Sequence, residues 1–97
     1  MVEVIKRDGR KEAFDPEKIK HGIRAAGGRT DVLPERIEEL AEKIAREIQE
    51  IAEKRGEIRT SEIRAMVLER LAVEEPSIEQ EFRLWPKTEK PEAEEFK

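Results

Sequence analysis

Between Pro34 and about Arg55 the residues Ile37, Leu40, Ala41, Ile44, Ala45, Ile48, Ile51 and Ala52 return at every third or fourth position, the spacing of one helix face. A single long helix with one apolar stripe is marginal alone, so the rest of the 97-residue chain must supply the surface that covers it. Its other face carries Glu39 and Lys43, Glu42 and Arg46, and Glu50 and Lys54, acid before base at a separation of four. Each such pair is expected to add about 0.2–0.5 kcal/mol to a solvated face. Gly56 ends the helix.

The covering elements follow from local signals. Val2–Arg7 and Arg10–Phe14 are short β-like runs around Asp8-Gly9, a pair that favours a two-residue type I′ turn. That turn would set Arg7 opposite Arg10 and Lys6 opposite Lys11, like charges that repel unless water or an anion lies between them. Asp15 then reads as an N-cap and Pro16 as the first residue of a helix whose inner face is Ile19, Ile23 and Ala26. Gly27-Gly28 ends it with residues that tolerate the left-handed conformation. Lys18 stands in its first turn, where a cation is unfavourable by roughly 0.3–1 kcal/mol unless an anion joins it. Beyond Gly56, Glu57-Ile58-Arg59 reads as a brief extended piece. Thr60-Ser61 then offers an N-cap for a third helix through Ile63, Met66, Val67 and Leu71. Pro76-Ser77 opens a fourth, with Ile78, Phe82 and Trp85 on one face and Pro86 as its end. The expected domain is residues 1–85. Residues 86–97, with two Pro, mixed charges and Phe96, are expected to form a disordered charged tail.

Composition removes several function classes. The chain has no Cys and one His, His21, so neither a disulfide framework nor a soft metal site can be assembled. His21 lies off the apolar stripe without a nucleophile to serve, and is assigned no role. No nucleophile–base pair or metal set is visible, which speaks against an enzyme. Neither an apolar leader nor a stretch of membrane-spanning length is present, and the expected location is the cytoplasm. The absence of Asn, with only two Gln, beside abundant Glu, Lys, Arg and Ile is a usage associated with thermophiles. Net charge is −4, divided as +3 over residues 1–30 and −7 over the remainder. The basic end is the candidate for an anionic ligand, and the acidic whole speaks against general attraction to nucleic acid.

The run Val4-Ile5-Lys6-Arg7-Asp8-Gly9-Arg10, followed by Phe14-Asp15-Pro16-Glu17-Lys18-Ile19, closely resembles the opening of the ATP-cone domain. That domain regulates ribonucleotide reductases and occurs in the bacterial repressor of their genes. Ile58-Arg59-Thr60-Ser61-Glu62-Ile63 is similar to the family's second signature, so the resemblance spans residues 2 to about 73. It implies an α+β fold in which a small sheet, the N-terminal hairpin, caps a four-helix bundle, with ATP or dATP bound between hairpin and helices. By matched position it implies that Lys6, Arg7 and Lys18 approach the phosphates and that Val4 lies by the adenine. Ile19 would pack near the base, with Thr60 and Arg64 closing the pocket. Magnesium would enter as part of the nucleotide complex.

Local chemistry favours the phosphate positions: a triphosphate would neutralise the hairpin tip and bridge Lys18 to the N–H groups that open the first helix. Without the resemblance, the ordinary reading of Lys6, Arg7, Arg10 and Lys11 is a solvated hairpin tip partly offset by Asp8. Glu74, Glu75 and Glu79 to Glu81 read as water-facing acids rather than a cation site, and Phe14, Phe82 and Trp85 as core. The chain departs from the family in having no Tyr where the last helix usually carries a tyrosine-rich ending; Glu81-Phe82-Arg83-Leu84-Trp85 stands there. The expected function is a nucleotide-sensing module that signals to a protein partner on another chain or through self-association. The rival expectations are a cone-like scaffold without nucleotide binding, and a transcription regulator.

Overall fold

The computed structural model describes residues 2–88, with side chains to Leu84. In chain order the elements are β1 (Glu3–Ile5), β2 (Lys11–Ala13), α1 (Pro16–Gly27), α2 (Pro34–Arg55), β3 (Glu57–Arg59), α3 (Thr60–Glu74) and α4 (Pro76–Thr88). The three strands form one mixed sheet in the order β2-β1-β3, with β1 antiparallel to β2 and parallel to β3. Helix α1 packs on α2 and α4, and α3 packs on α4. The α+β expectation holds, with β3 as the third strand.

The periodic stripe forms the core: Leu40, Ala41, Ile44, Ile48 and Ala52 of α2 are fully buried, and Ile23 and Ala26 of α1, Ile58 of β3, Leu71 of α3 and Ile78 of α4 meet them. Burying a side chain of the Leu or Ile kind is worth about 1.5–3 kcal/mol, and this shared interior joins sheet and helices. Ile51, at the edge of the stripe, stays half-exposed.

The hairpin register differs from the two-residue expectation. Val4 lies opposite Glu12 and Ile5 opposite Lys11, which leaves Arg7, Asp8 and Gly9 as a three-residue loop. The Gly9 N–H donates to the Lys6 carbonyl at 3.0 Å, and Gly9 takes φ +92° while no non-glycine residue among those described has positive φ. This is a type I turn closed by a left-handed glycine, which spares Asp8 the positive φ of a type I′ turn. Asp8 instead accepts from the Arg10 N–H at 3.1 Å and from its guanidinium at 2.8 Å. The expected Arg7–Arg10 and Lys6–Lys11 pairs do not form. Lys6 pairs with Glu12, and Lys11 lies 4.0 Å from both Glu3 and Glu57.

Helix ends bring further corrections. Asp15 caps α1, its carboxylate accepting from Glu17 N at 3.0 Å, but Gly28 has φ −64° and is right-handed. The neighbouring Gly27 is instead required by packing, since a Cβ there would sit 2.9 Å from three atoms of Ile37. Gly56 is left-handed at φ +85°, its N–H donating to the Ala52 carbonyl. The cap of α3 is not Thr60: the Glu62 carboxylate accepts from Arg59 N at 2.9 Å, and the Thr60 hydroxyl donates to the Ile5 carbonyl at 3.3 Å. Pro86 does not end α4, which runs through Thr88; the side chain of Trp85 and the expected tail beyond residue 88 lie outside the described residues.

Charges of α2 reach neighbouring helices as well as their own: Lys43 donates to Glu74 of α3 at 2.7 Å and Glu42 receives Lys20 of α1 at 3.1 Å, while Glu39 receives Arg36 within α2 itself. Arg36 also reaches Glu74 and Glu75, and Arg24 makes a two-pronged pair with Glu38 at 2.6 and 3.1 Å. The acids at positions 74 and 75 therefore join helices rather than face water.

The two adjacent glycines give opposite expectations. Gly27→Ala overpacks Ile37 at a cost of about 1–3 kcal/mol, more than the helix propensity of alanine returns. Gly28→Ala, at a right-handed exposed position, is neutral or stabilising by up to about 1 kcal/mol. Urea unfolding of the two variants measures the difference.

Candidate functional site

A cavity of about 620 Å³ opens between the hairpin, the first half of α1, the first half of α3 and α4. All seven residues singled out from the sequence line it: Val4, Lys6, Arg7, Lys18, Ile19, Thr60 and Arg64. The observed register explains the strand contribution. Cross-strand partners share a face, so pairing Val4 with Glu12 puts Val4, Lys6 and Glu12 together on the cavity side. Parallel pairing of β1 with β3 carries that face to the start of α3, where the Thr60 hydroxyl ties helix to strand.

The interior is chiefly apolar, with Ile19, Phe14, Ile63, Val67, Leu68 and Phe82 among its walls. Gly22 belongs to it as well. A Cβ at this mid-helix glycine would lie 3.0 Å from Cε2 of Phe82, so its missing side chain lets α1 and α4 close over the floor. An interior helix glycine costs roughly 0.5–1 kcal/mol against alanine; that cost was the available sign that Gly22 had a packing reason.

The charges at the rim divide into two groups. Lys6 and Lys18 share Glu12, their Nζ atoms lying 3.7 and 3.4 Å from the same carboxylate oxygen. The Lys6 charge, with the hydrogen bond and charge of Lys18, holds the Glu12 carboxyl below the usual glutamate range. The Lys6 side chain is only 12% exposed, whereas that of Lys18 is 68% exposed.

Arg7 and Arg64 form the second group: among the described residues no carboxylate lies within ion-pair distance of either. Burial, and then the neighbouring charges of Arg83 and Arg7, push the Arg64 guanidinium below its usual pKa. Arg83, a third arginine at the cavity, is paired with the buried Glu79. The start of α1 is less open to an anion than expected, because Pro16 has no N–H and the next two are taken, Glu17 by the Asp15 carboxylate and Lys18 by the Asp15 carbonyl.

Sequence reasoning missed Glu12, Gly22, Phe82 and Arg83 as cavity residues. Glu12 was legible only with the right register, since a slip of one residue turns it to the opposite face. His21 is exposed, and no group of three potential metal ligands occurs among the described residues. No helix among the described residues is long and apolar enough to cross a membrane.

Comparison with known proteins adds an independent line. A family model described as the ATP cone domain matches residues 2–85. A transcriptional repressor NrdR of Anaeromyxobacter sp. (strain K) is 42% identical over 71 residues, covering 73% of this chain and 44% of the repressor. The NrdR repressor of Gloeobacter violaceus is 43% identical over 65 residues, covering 67% of this chain and 37% of the repressor. That of Thermosipho melanesiensis is 39% identical over 70 residues, covering 72% and 45%. The chain thus spans less than half the length of these relatives.

The Glu12 arrangement has a pH signature. Its folded-state pKa is depressed, so the stabilisation it contributes is fully present above the unfolded-state value and is lost as pH falls through the folded one. Carboxyl-detected NMR is expected to show Glu12 titrating below an ordinary glutamate, and Lys6→Met or Lys18→Met to move its midpoint upward.

Proposed function

The chain belongs to the ATP-cone family, and from that membership we propose that the cavity binds ATP or dATP and that its occupancy is read by a protein partner or by a second copy of the chain. The observation that carries the reading is the pair Arg7 and Arg64, two guanidinium groups with no carboxylate in ion-pair distance among the described residues, at the rim of a mainly apolar cavity. Such a site combines an apolar face for a base with a fork geometry suited to phosphate oxygens. Arg7 and Arg64 take the phosphates, joined by Lys6 and Lys18 as the Glu12 carboxylate yields to the stronger anion. Val4 and Ile19 flank the base, and Thr60 holds β1 and α3 at the spacing the ligand requires. Arg83 is a further phosphate candidate.

The role is regulatory rather than catalytic: the residues around the cavity bind and orient an anion, and none is paired as a nucleophile with its base. Occupancy becomes a signal only where nucleotide has unequal affinity for two states of the module or its assembly. Repression belongs to the relatives' longer chains, and a DNA-binding role is not carried over to this one. The acidic net charge of −4 agrees with a module that meets nucleotides rather than nucleic acid.

Calorimetric titration with ATP, dATP and GTP tests the proposal. Adenine nucleotides are expected to bind in preference to GTP. Losing one charge-assisted contact costs about 1.5–3 kcal/mol, so Arg7→Ala and the double variant Lys6→Ala, Lys18→Ala are each expected to weaken binding by about ten-fold or more. A folded wild-type protein that takes up no nucleotide would instead support a scaffold role.

A further inference from the structure

Arg64 stands between the cavity and α4. From α3 its Nη2 donates to the main-chain carbonyl of Arg83 at 2.7 Å, and its guanidinium carbon lies 5.6 Å from the centre of the Phe82 ring. Both contacts are on α4. Its charged neighbours, Arg83 and Arg7, carry the same sign, so among the described residues a neutral carbonyl and the face of an aromatic ring satisfy this partly buried cation.

Those two contacts are weaker than what a phosphate offers. A guanidinium binds phosphate by two parallel charge-assisted hydrogen bonds, each roughly twice as strong as one to a neutral acceptor. An anion at the rim also relieves the repulsion among Arg7, Arg64 and Arg83. One stem carries the planar fork, so the Nη2 that now donates to the Arg83 carbonyl is among the donors that a two-pronged grip on phosphate can recruit. The site of that bond is specific. Ile78 and Phe82 anchor the first part of α4 in the core, whereas Arg83 and Leu84 beyond them are exposed. The Arg64 bond falls on Arg83, the exposed residue that follows buried Phe82.

We propose that Arg64 is a latch: an anionic ligand in the cavity draws its guanidinium off the Arg83 carbonyl and the Phe82 ring, and so loosens α4 from Arg83 to Thr88. The last turns of α4 are then the element through which occupancy is transmitted. This rests on the nucleotide reading above and adds the route by which the site reaches a surface. Arg64 acts here both as a binding group and as a positioning group for α4, and the two roles separate by experiment.

The test is hydrogen exchange of the amides from residue 83 to 88 in the full chain, with and without saturating ATP, in wild type, Arg64→Gln and Arg64→Lys. Thermal unfolding verifies that each variant is folded, and calorimetry on the same samples measures whether ATP is bound. In wild type, ATP is expected to speed exchange several-fold in this segment while the core amides of α2 are unchanged or protected. Arg64→Gln is expected to show the faster exchange without ligand and no further change with ATP. Arg64→Lys, which keeps the charge but loses the fork, is expected to show the same fast ligand-free exchange while retaining more affinity than Arg64→Gln. ATP bound with exchange at 83–88 unchanged or slowed would overturn the latch and leave the nucleotide site standing. Arg64→Gln with wild-type exchange before ligand addition would do the same. No ATP uptake by folded wild type would overturn both.

Discussion

The parallel pairing of β1 with β3 is the constraint on which the rest of the structure depends. Three residues from the N-terminus, Glu3 to Ile5, lie beside Glu57, Ile58 and Arg59, and everything between them in sequence must pass out and back. Parallel neighbours require such a crossover, and here the crossover contains β2, α1 and α2. The pairing sets the hairpin against the first turn of α3, with Ile58 buried beneath it. The Thr60 hydroxyl bonded to the Ile5 carbonyl extends the junction by one residue. A cavity lined by residues 4 to 22 and 60 to 83 exists because these segments are held at that distance.

Within that frame, electrostatics separates the structural cations from the available ones. Arg24, Arg36, Lys20 and Lys43 are committed to carboxylates on neighbouring helices. Exposed ion pairs are individually worth about 0–1 kcal/mol, so these tie orientation more than they supply stability. At the cavity the balance tilts toward positive charge. Glu12 answers two lysines with one carboxylate, while Arg7 and Arg64 line the cavity with no acid in ion-pair distance among the described residues. Sheet, apolar walls and an excess of cations in one place suit a ligand with a flat apolar body and an anionic tail.

How much of this was legible can be argued residue by residue. The 22-residue α2 emerged with its ends at Pro34 and Arg55, because its periodic stripe, opening proline and left-handed Gly56 are all local signals. The Asp15 cap and the start of α1 were legible for the same reason. The hairpin register was not: Asp8-Gly9 permits both a two-residue and a three-residue loop, and the choice turns on whether Asp8 pays for positive φ. That single step hid Glu12 and created an apparent clash of like charges at the tip. Two of the expected pairs along α2 gave way because Lys43 had Glu74 of α3 and Glu42 had Lys20 of α1 in reach, and an intrahelical pair worth a few tenths of a kcal/mol does not hold a side chain against that competition.

By itself the sequence determined the identity and order of the helices, the turn at Gly9, the apolar faces and the set of cations from which the cavity rim is drawn. Each of these depends on residues within about four positions of one another, where propensity, capping and periodicity act. Tertiary structure alone decided which of the described cations meet an acid, that Gly22 and Gly27 exist for close approach, and that Arg64 reaches the backbone of α4. Those outcomes rest on contacts between segments far apart in sequence, whose alternatives differ by less than the local terms can resolve, and only the packed arrangement of β1 against β3 and α1 against α4 selects among them.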